Sequence, residues 1–353
     1  MHRPESKGRA VAAVLAGAWR ASPPNLEATT ADLAATAPLL VESGAAALGW
    51  WRIRQSGGQR VPSGLGQLRA TYLRYAVHAA EQESEIVGVF NALRSSGVKP
   101  ILLKGWAIAR SYPESGLRPS GDIDLYVSPE QYARAKAVLS TRPSSVYSVD
   151  LDHDTMTRFS ELTFEALYLR SQLVNLDGAE IRVPGAEDHL RILCLHMLKH
   201  GAWRPLWLCD VAAALESRPQ NFDWNRCLGK HGTHADWVVC TLALADQLLG
   251  AETKGTPAQG RGKTLPDWLV SSVLKQWSAP NPPNLPLFVD QVGKHWWKME
   301  TLRAIRQRWP NPIQATVDAG GSFNERSRLP FQVLDCVLRT ARLCRQLPGL
   351  LRN

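Results

Sequence analysis

Two aspartates stand two positions apart in the chain, between a glycine-containing turn and an apolar run of β-forming residues. Residues 118–127 have the sequence Arg-Pro-Ser-Gly-Asp-Ile-Asp-Leu-Tyr-Val, in which the pair is Asp122 and Asp124. On a strand, residues i and i+2 point to the same face, and two carboxylates held that close repel each other unless a positive charge lies between them. Hard oxygen ligands suit Mg²⁺ or Mn²⁺. The pattern therefore predicts a divalent metal site.

A short apolar strand precedes this pair and ends in a lysine and a glycine. Residues 98–105 are Val-Lys-Pro-Ile-Leu-Leu-Lys-Gly. Gly105 would let a phosphate approach the backbone closely, because glycine has no Cβ. Lys104 can neutralise phosphate as a point charge, and Arg118 can do so as a planar fork. We therefore expect these three residues to bind phosphate groups.

The order of these motifs resembles the nucleotidyltransferase superfamily of DNA polymerase β, in which a glycine-containing turn is followed by Asp-x-Asp on the next strand. A closer resemblance is to the bacterial family described as uncharacterised nucleotidyltransferases, and it runs from about residue 70 to 215. The matching residues, in chain order, are Leu103-Lys104-Gly105, Ala107, Ala109, Tyr112-Pro113, Arg118, Asp122-Ile123-Asp124-Leu125, Val149-Asp150-Leu151, His196, His200 and Trp207-Leu208-Cys209-Asp210.

The resemblance implies transfer of a nucleoside monophosphate from an NTP to an acceptor, with release of pyrophosphate. Asp122 and Asp124 would bind two Mg²⁺ or Mn²⁺ ions, and Asp150 would bind the ion at the attacking oxygen. Asp152 and Asp154 are alternatives for this third carboxylate; strand parity places Asp150 and Asp152 on one face. The acceptor stays open between a small molecule, RNA and a protein.

Three histidines, His189, His196 and His200, share one face of a predicted helix. The resemblance favours a helix that faces the nucleotide, with Lys199 or His200 near phosphate, whereas a buried, hydrogen-bonded histidine is the alternative. Zinc is disfavoured because the segment from His196 to His200 lacks the glutamate of a zinc-protease motif. Asp210 would either orient a histidine or lysine or form a structural pair with an arginine.

Two features depart from the superfamily pattern. Trp106 follows Gly105, where the superfamily often has Gly-Ser or Gly-Gly, and the spacing from Gly105 to Asp122 is long. Because a fold does not fix a function, these departures leave an alternative. The chain would then be a catalytically silent nucleotide-binding or partner-binding protein on the same fold.

Composition and charge limit the classes of function that this chain can have. The chain has 353 residues and a formal net charge of +9, which suits a polyanionic ligand, although many soluble proteins carry such a charge without using it. None of the six cysteines forms a Cys-x-x-Cys pair, which favours reduced core thiols and a cytoplasmic protein. No apolar run is long enough to span a bilayer, so we expect no membrane partner.

Periodicity and breaker residues predict an α+β fold, in which a small mixed nucleotidyltransferase sheet is flanked by N-terminal helices and a helical C-terminal domain. The predicted division is residues 1–96 as an N-terminal helical segment packing on the catalytic core, 97–185 as that core, and 186–353 as the C-terminal domain. The predicted elements before residue 186 are a long helix over 65–96, a helix over 105–111, a helix from Ser128-Pro129 to about 140, strands over 100–103, 122–127 and about 145–152, and a hairpin over 172–183.

Overall fold

A three-stranded mixed sheet carries the aspartates that the sequence singles out. Its strands are β1 (Ile101–Leu102), β2 (Asp122–Tyr126) and β3 (Ser148–Asp152), in the order β1-β2-β3. β1 runs antiparallel to β2, whereas β3 runs parallel to it. The structure is a computed structural model that describes residues 5–56, 65–142, 147–154, 162–229, 232–278 and 309–350.

A second sheet and many helices complete the described fold. β4 (Gln172–Leu176) and β5 (Ala179–Val183) form an antiparallel pair. Helices together with small sheets of three and two strands confirm the predicted α+β class. The helices are α1 (Ser6–Leu15), α2 (Thr30–Glu42), α3 (Ala46–Gln55), α4 (Gly66–Ser95), α5 (Trp106–Ala109), α6 (Pro129–Ser140), α7 (Phe164–Arg170), α8 (Ala186–Lys199), α9 (Pro205–Glu216), α10 (Trp224–Leu228), α11 (Thr233–Leu249), α12 (Asp267–Trp277), α13 (Pro312–Asp318) and α14 (Leu329–Leu350).

The two sheet faces bury different clusters. On one face, Ile123 and Leu125 pack with Val89 and Leu93 of α4, whose span confirms the predicted long helix. Because side chains alternate along a strand, the aspartates of β2 point to the other face.

That other face is covered by α8. Leu103 and Tyr126 pack there against Ile192, in a separate buried cluster. Alternation along β2 places Asp122 and Asp124 on the same face as Tyr126. The sheet therefore presents its carboxylates beside the helix that carries the three histidines.

The β4–β5 hairpin forms as predicted over residues 172–183. Its central residues Asp177 and Gly178 have φ values of 48° and 82°. Positive φ at both central positions is what a type I′ turn needs, and its twist matches that of the paired strands.

Helices from both ends of the chain share one core. Leu15 of α1 and Leu48 of α3 belong to the same buried cluster as Leu208 of α9, Leu242 of α11 and Leu274 of α12. Helix α1 contacts α11 and α12 directly. The predicted division at residues 96 and 185 stays a prediction.

Some predicted details differ from the structure. β1 is shorter than predicted, and Pro100 just before it has no N–H to donate to a neighbouring strand. Helix α5 ends at Ala109. Ser128 precedes α6 without a capping hydrogen bond, and its hydroxyl pairs with the Glu130 side chain, whereas Pro129 occupies the first turn as predicted.

Three further observations concern the described residues only. None of their helices is long and apolar enough to cross a membrane. Their cysteines, four buried and Cys336 half-buried, are free thiols. Trp296 and Trp297 lie outside the described residues; their sequence favours core or crevice packing, with an aromatic and basic surface for a base or nucleic acid as the alternative.

Candidate functional site

Three of the predicted aspartates lie on the α8-facing side of the three-stranded sheet. In the parallel pairing of β2 with β3, Asp124 is the register partner of Asp150, and Asp122 is the partner of Ser148. Register partners in neighbouring strands point to the same face. Asp122, Asp124 and Asp150 therefore share one face, as the strand parity predicts.

Lys104 is bound to the central carboxylate of this group. Its Nζ lies 2.7 Å from Oδ1 of Asp124, and the two side chains are only 15% and 10% exposed. Burial raises the pKa of Asp124, Lys104 opposes this shift, and the negative charges of Asp122 and Asp150 add to it. The charge of Asp124 therefore depends on a nearby cation.

The neighbours of the other β3 aspartates separate them from Asp150. Asp152 is the register partner of Tyr126, and its Oδ1 accepts the backbone N–H of Asp154 at 3.0 Å. The charge of Asp150 acts on Asp124, whereas Lys199 of α8 lies in the field of both Asp152 and Asp150. The structure thus brings Asp150 nearest to the Asp122–Asp124 pair.

The turn after β1 lies against the start of β2, where a serine and a glutamine that the sequence analysis missed hold the Asp122 carbonyl. Gly105 has φ 61°, and a Cβ there would lie 2.7 Å from Oγ of Ser120. The Ser120 hydroxyl donates to the Asp122 carbonyl at 3.0 Å, and Gln82 Nε2 donates to the same oxygen at 3.1 Å. Gly105 is therefore needed for the contact with Ser120. The available signal for Gln82 was its position within the apolar stripe of α4.

Trp106, the departure from the superfamily pattern, is a core residue. Its indole Nε1 donates to Glu83 Oε1 at 2.9 Å, and its ring packs in the buried cluster with Ile123. It does not cover the carboxylates, because Ile123 points to the opposite sheet face from Asp122 and Asp124.

Arg118 is held by Asp210, the pairing that was one of two alternatives for this aspartate. Nε and Nη2 of Arg118 donate to Asp210 Oδ2 at 3.1 and 2.8 Å, and Tyr112 donates to Oδ1 at 2.8 Å. The third nitrogen, Nη1, donates to the Pro119 carbonyl at 3.2 Å. The structural reading of Asp210 is therefore confirmed, and the Arg118 guanidinium is already bound on all three nitrogens.

Helix α8 contributes a line of histidines and Lys199 to the same face. His189 is buried and hydrogen-bonds to the Leu103 backbone, whereas His196 and His200 are half-buried with ring centroids 4.5 Å apart. Burial lowers the pKa of His200 to about 4, and the positive charges of Lys104 and Lys199 add to this shift. His196 and His200 are therefore neutral near pH 7, since the pKa of His196 is also lowered, chiefly by burial.

The donor set fits a hard divalent cation in chemistry and in strand position. Within the described ranges, however, no group of three histidine, cysteine, aspartate or glutamate side chains is close enough together to hold a metal ion. Lys104 takes one oxygen of Asp124. The other oxygen of Asp124, Oδ2, is the one through which this carboxylate would contact a metal ion while Lys104 stays in place.

Comparison with known proteins gives one match. A sequence model of the family described as "Uncharacterised nucleotidyltransferase" matches residues 30–250, which include Lys104, the three carboxylates and the α8 histidines. No curated protein and no solved structure matches the chain. Because the family match covers more than half of the sequence, the chain belongs to the uncharacterised nucleotidyltransferase family.

Proposed function

We propose that this chain transfers a nucleoside monophosphate from an NTP to an acceptor, releases pyrophosphate, and depends on Mg²⁺ or Mn²⁺. Family membership supports the transferase class and a nucleotide substrate. The metal-dependent part rests on one observation, the alignment of Asp124 with Asp150 across β2 and β3, with Asp122 on the same face. On this proposal, β1–β3 form the nucleotidyltransferase sheet.

On this proposal, the aspartates bind the metal ions and the lysines neutralise phosphate charge. Asp122 and Asp124 would hold both ions, and Asp150 would hold the one at the acceptor oxygen. Bound ions would stabilise charge on the attacking and leaving oxygens. Lys104 and Lys199 place positive charge beside these carboxylates, where a triphosphate carries negative charge. The acceptor oxygen attacks the α-phosphorus in line, and the bond to pyrophosphate breaks.

Other residues shape the site without contacting the reacting atoms. Arg118 contributes its field at Asp124 while bound to Asp210, so we assign it a positioning role rather than a direct contact to phosphate. Gly105, which has no Cβ, lets the turn after Lys104 pack closely against Ser120. His200, neutral near pH 7, faces the nucleotide next to Lys199 without adding positive charge.

A second candidate function is a silent nucleotide-binding or partner-binding protein. The contact of Lys104 with Asp124 favours it, because an ammonium already neutralises the carboxylate that an ion would use. Such a protein would keep NTP affinity and release no pyrophosphate. The acceptor of an active transferase remains a small molecule, RNA or a protein.

The test uses each α-labelled NTP with Mg²⁺ or Mn²⁺ and a cell extract separated into RNA, protein and small molecules. Wild type is compared with Asp122→Asn/Asp124→Asn. Asp177→Asn is the matched control, because it removes a carboxylate at a positive-φ turn that asparagine tolerates. We expect label in one fraction and pyrophosphate release with wild type and the control, and neither with the double variant.

Two other results would change the conclusion. Metal-dependent NTP binding without label or pyrophosphate in any fraction would favour the silent binding protein. Label that persists in the double variant would show that Asp122 and Asp124 are not needed for the reaction.

A further inference from the structure

Four aromatic side chains form a half-exposed cluster at the corner between α8 and α9. We call His196, His200, Trp203 and Trp207 the ring cluster. The ring centroids of Trp207 lie 4.9 Å from His196, 5.3 Å from His200 and 5.4 Å from Trp203, with edge-to-face or tilted geometry. All four side chains are half-buried. A purely internal cluster would be enclosed, so this one presents aromatic surface to solvent.

The ring cluster lies beside the carboxylate face of the sheet. Ile192 of α8 packs on that face with Tyr126. His196 and His200 follow Ile192 by one and two helical turns on the same stripe. The positive charge of Lys104, which is bound to Asp124, reaches both histidines. The rings are therefore neighbours of the proposed triphosphate site and not part of it.

The corner that carries the rings is fixed by its surroundings. Gly201 and Ala202 have φ values of 68° and 58°, and positive φ is uncommon for a residue with a Cβ. Asn311 Nδ2 donates to the Gly201 carbonyl at 2.9 Å, and Trp277 Nε1 donates to the Ala202 carbonyl at 3.0 Å. These contacts hold the strained backbone in place, so the rings are positioned before a ligand binds.

The chemistry of the cluster suits a flat, uncharged ring system attached to an anion. Both histidines are neutral near pH 7, since burial lowers their pKa values. Arg204 lies over Trp203 and Trp207, with its guanidinium carbon 5.4 and 5.6 Å from the ring centroids. Aromatic rings and arginine planes are the groups on which nucleobases stack in proteins. The anion would lie beside Lys104 and Lys199, at the proposed triphosphate site.

We propose that the ring cluster binds the base of the donor nucleotide and that this base is a purine. This inference rests on the proposed function, because it places the triphosphate at Lys104 and the carboxylates. A purine offers two fused rings to a surface built of several rings, whereas a pyrimidine covers less of it. The cluster thus adds a stacking contribution that phosphates alone lack.

Equilibrium binding of Mg²⁺-ATP, Mg²⁺-UTP and Mg²⁺-tripolyphosphate tests this assignment, with no acceptor present. The variants are Trp207→Leu and Trp203→Leu. Trp224→Leu is the matched control, because Trp224 is also half-exposed, packs on Phe222 and lies under Arg218 in a different groove. We expect wild type to bind ATP more tightly than UTP. Each ring variant should lose roughly 5- to 100-fold in ATP affinity and keep its tripolyphosphate affinity.

Trp207 also packs against the shared core, so its variant is checked by thermal unfolding. If Trp207→Leu does not fold, Trp203→Leu and His200→Leu decide the question. ATP affinity equal to that of wild type in the folded ring variants would overturn the assignment. Equal losses of ATP and tripolyphosphate, or tighter binding of UTP than ATP by wild type, would overturn it as well. A wild type that binds none of these ligands would instead reject the proposed function itself.

Discussion

The carboxylates around the sheet differ in what neutralises them. Asp210 is fully buried and holds Arg118 and Tyr112, whereas Asp124 is nearly buried and holds Lys104. A buried carboxylate with a fixed partner stabilises structure, because its removal leaves a buried charge unpaired. Exposed carboxylates keep oxygens available to a ligand. Asp210 therefore belongs to the fold, and Asp124 belongs to both fold and site.

Asp210→Ala should lower the free energy of unfolding by about 3–5 kcal/mol, because Arg118 and Tyr112 would stay buried without their acceptor. Glu180→Ala is the control, since it breaks an exposed pair with Arg94 and should cost no more than about 1 kcal/mol. Urea unfolding of both variants gives the comparison. Similar losses in the two variants would contradict the structural role of Asp210.

His189 makes the stability of the fold depend on pH. Burial lowers its pKa to about 3, with the charges of Arg110 and Arg118 contributing. The unfolded chain takes up a proton at an ordinary histidine pKa of about 6.5, so unfolding is favoured as pH falls from there toward 3. We expect the free energy of unfolding of wild type to fall across this window, and that of His189→Leu to fall less.

Urea unfolding at several pH values from 7 to 4 measures how steeply the free energy of unfolding falls with pH. His234→Leu, a change at a half-exposed histidine outside the site, serves as the control and should keep the wild-type slope. Parallel profiles for wild type and His189→Leu would show that the buried imidazole does not cause the acid sensitivity.

Among the elements, the turn between β1 and α5 leaves little space for a side chain at its glycine. Gly105→Ala would place a Cβ 2.7 Å from Ser120 Oγ at a backbone φ of 61°. We expect a loss of about 1–3 kcal/mol in the free energy of unfolding and a lower transfer rate, because Lys104 precedes this turn.

Gly121→Ala is the matched control for that turn. Apart from its two chain neighbours, no residue has an atom within 4 Å of a Cβ built at Gly121, so thermal unfolding and transfer activity should stay near those of wild type. An equally stable and active Gly105→Ala would show that the turn tolerates a side chain.

Taken as a whole, the molecule joins its two ends in one core. Leu15 of α1 is fully buried in the cluster that α9, α11 and α12 also build. Leu15→Ala should therefore lower the free energy of unfolding by about 2–5 kcal/mol. Tryptophan fluorescence and far-UV circular dichroism should report one common transition, since the N- and C-terminal helices unfold together.

The exposed Leu73 of α4 provides the control for this prediction. Its side chain is 51% exposed, so Leu73→Ala removes little buried area and should leave the transition nearly unchanged. Separate transitions for the two probes would show that the N-terminal helices are an independent unit.

The sequence by itself determined the features that depend on neighbouring residues. The alternation around Asp122 and Asp124 predicted a shared face, the spacing of apolar residues predicted α4, and the alternation and breaker residues predicted the hairpin over 172–183. Strand parity, helical periodicity and turn geometry repeat over a few residues, so they can be read from the chain directly.

Only the tertiary structure decided which distant groups meet. Arg118 and Asp210 are 92 positions apart, and the sequence left two roles open for Asp210 that differ only in its partner. The contacts of Gln82 with the Asp122 carbonyl and the packing of α1 against α11 and α12 were not predicted. Such pairings follow from how all the elements bury their apolar faces together, and no local pattern specifies the distances that result.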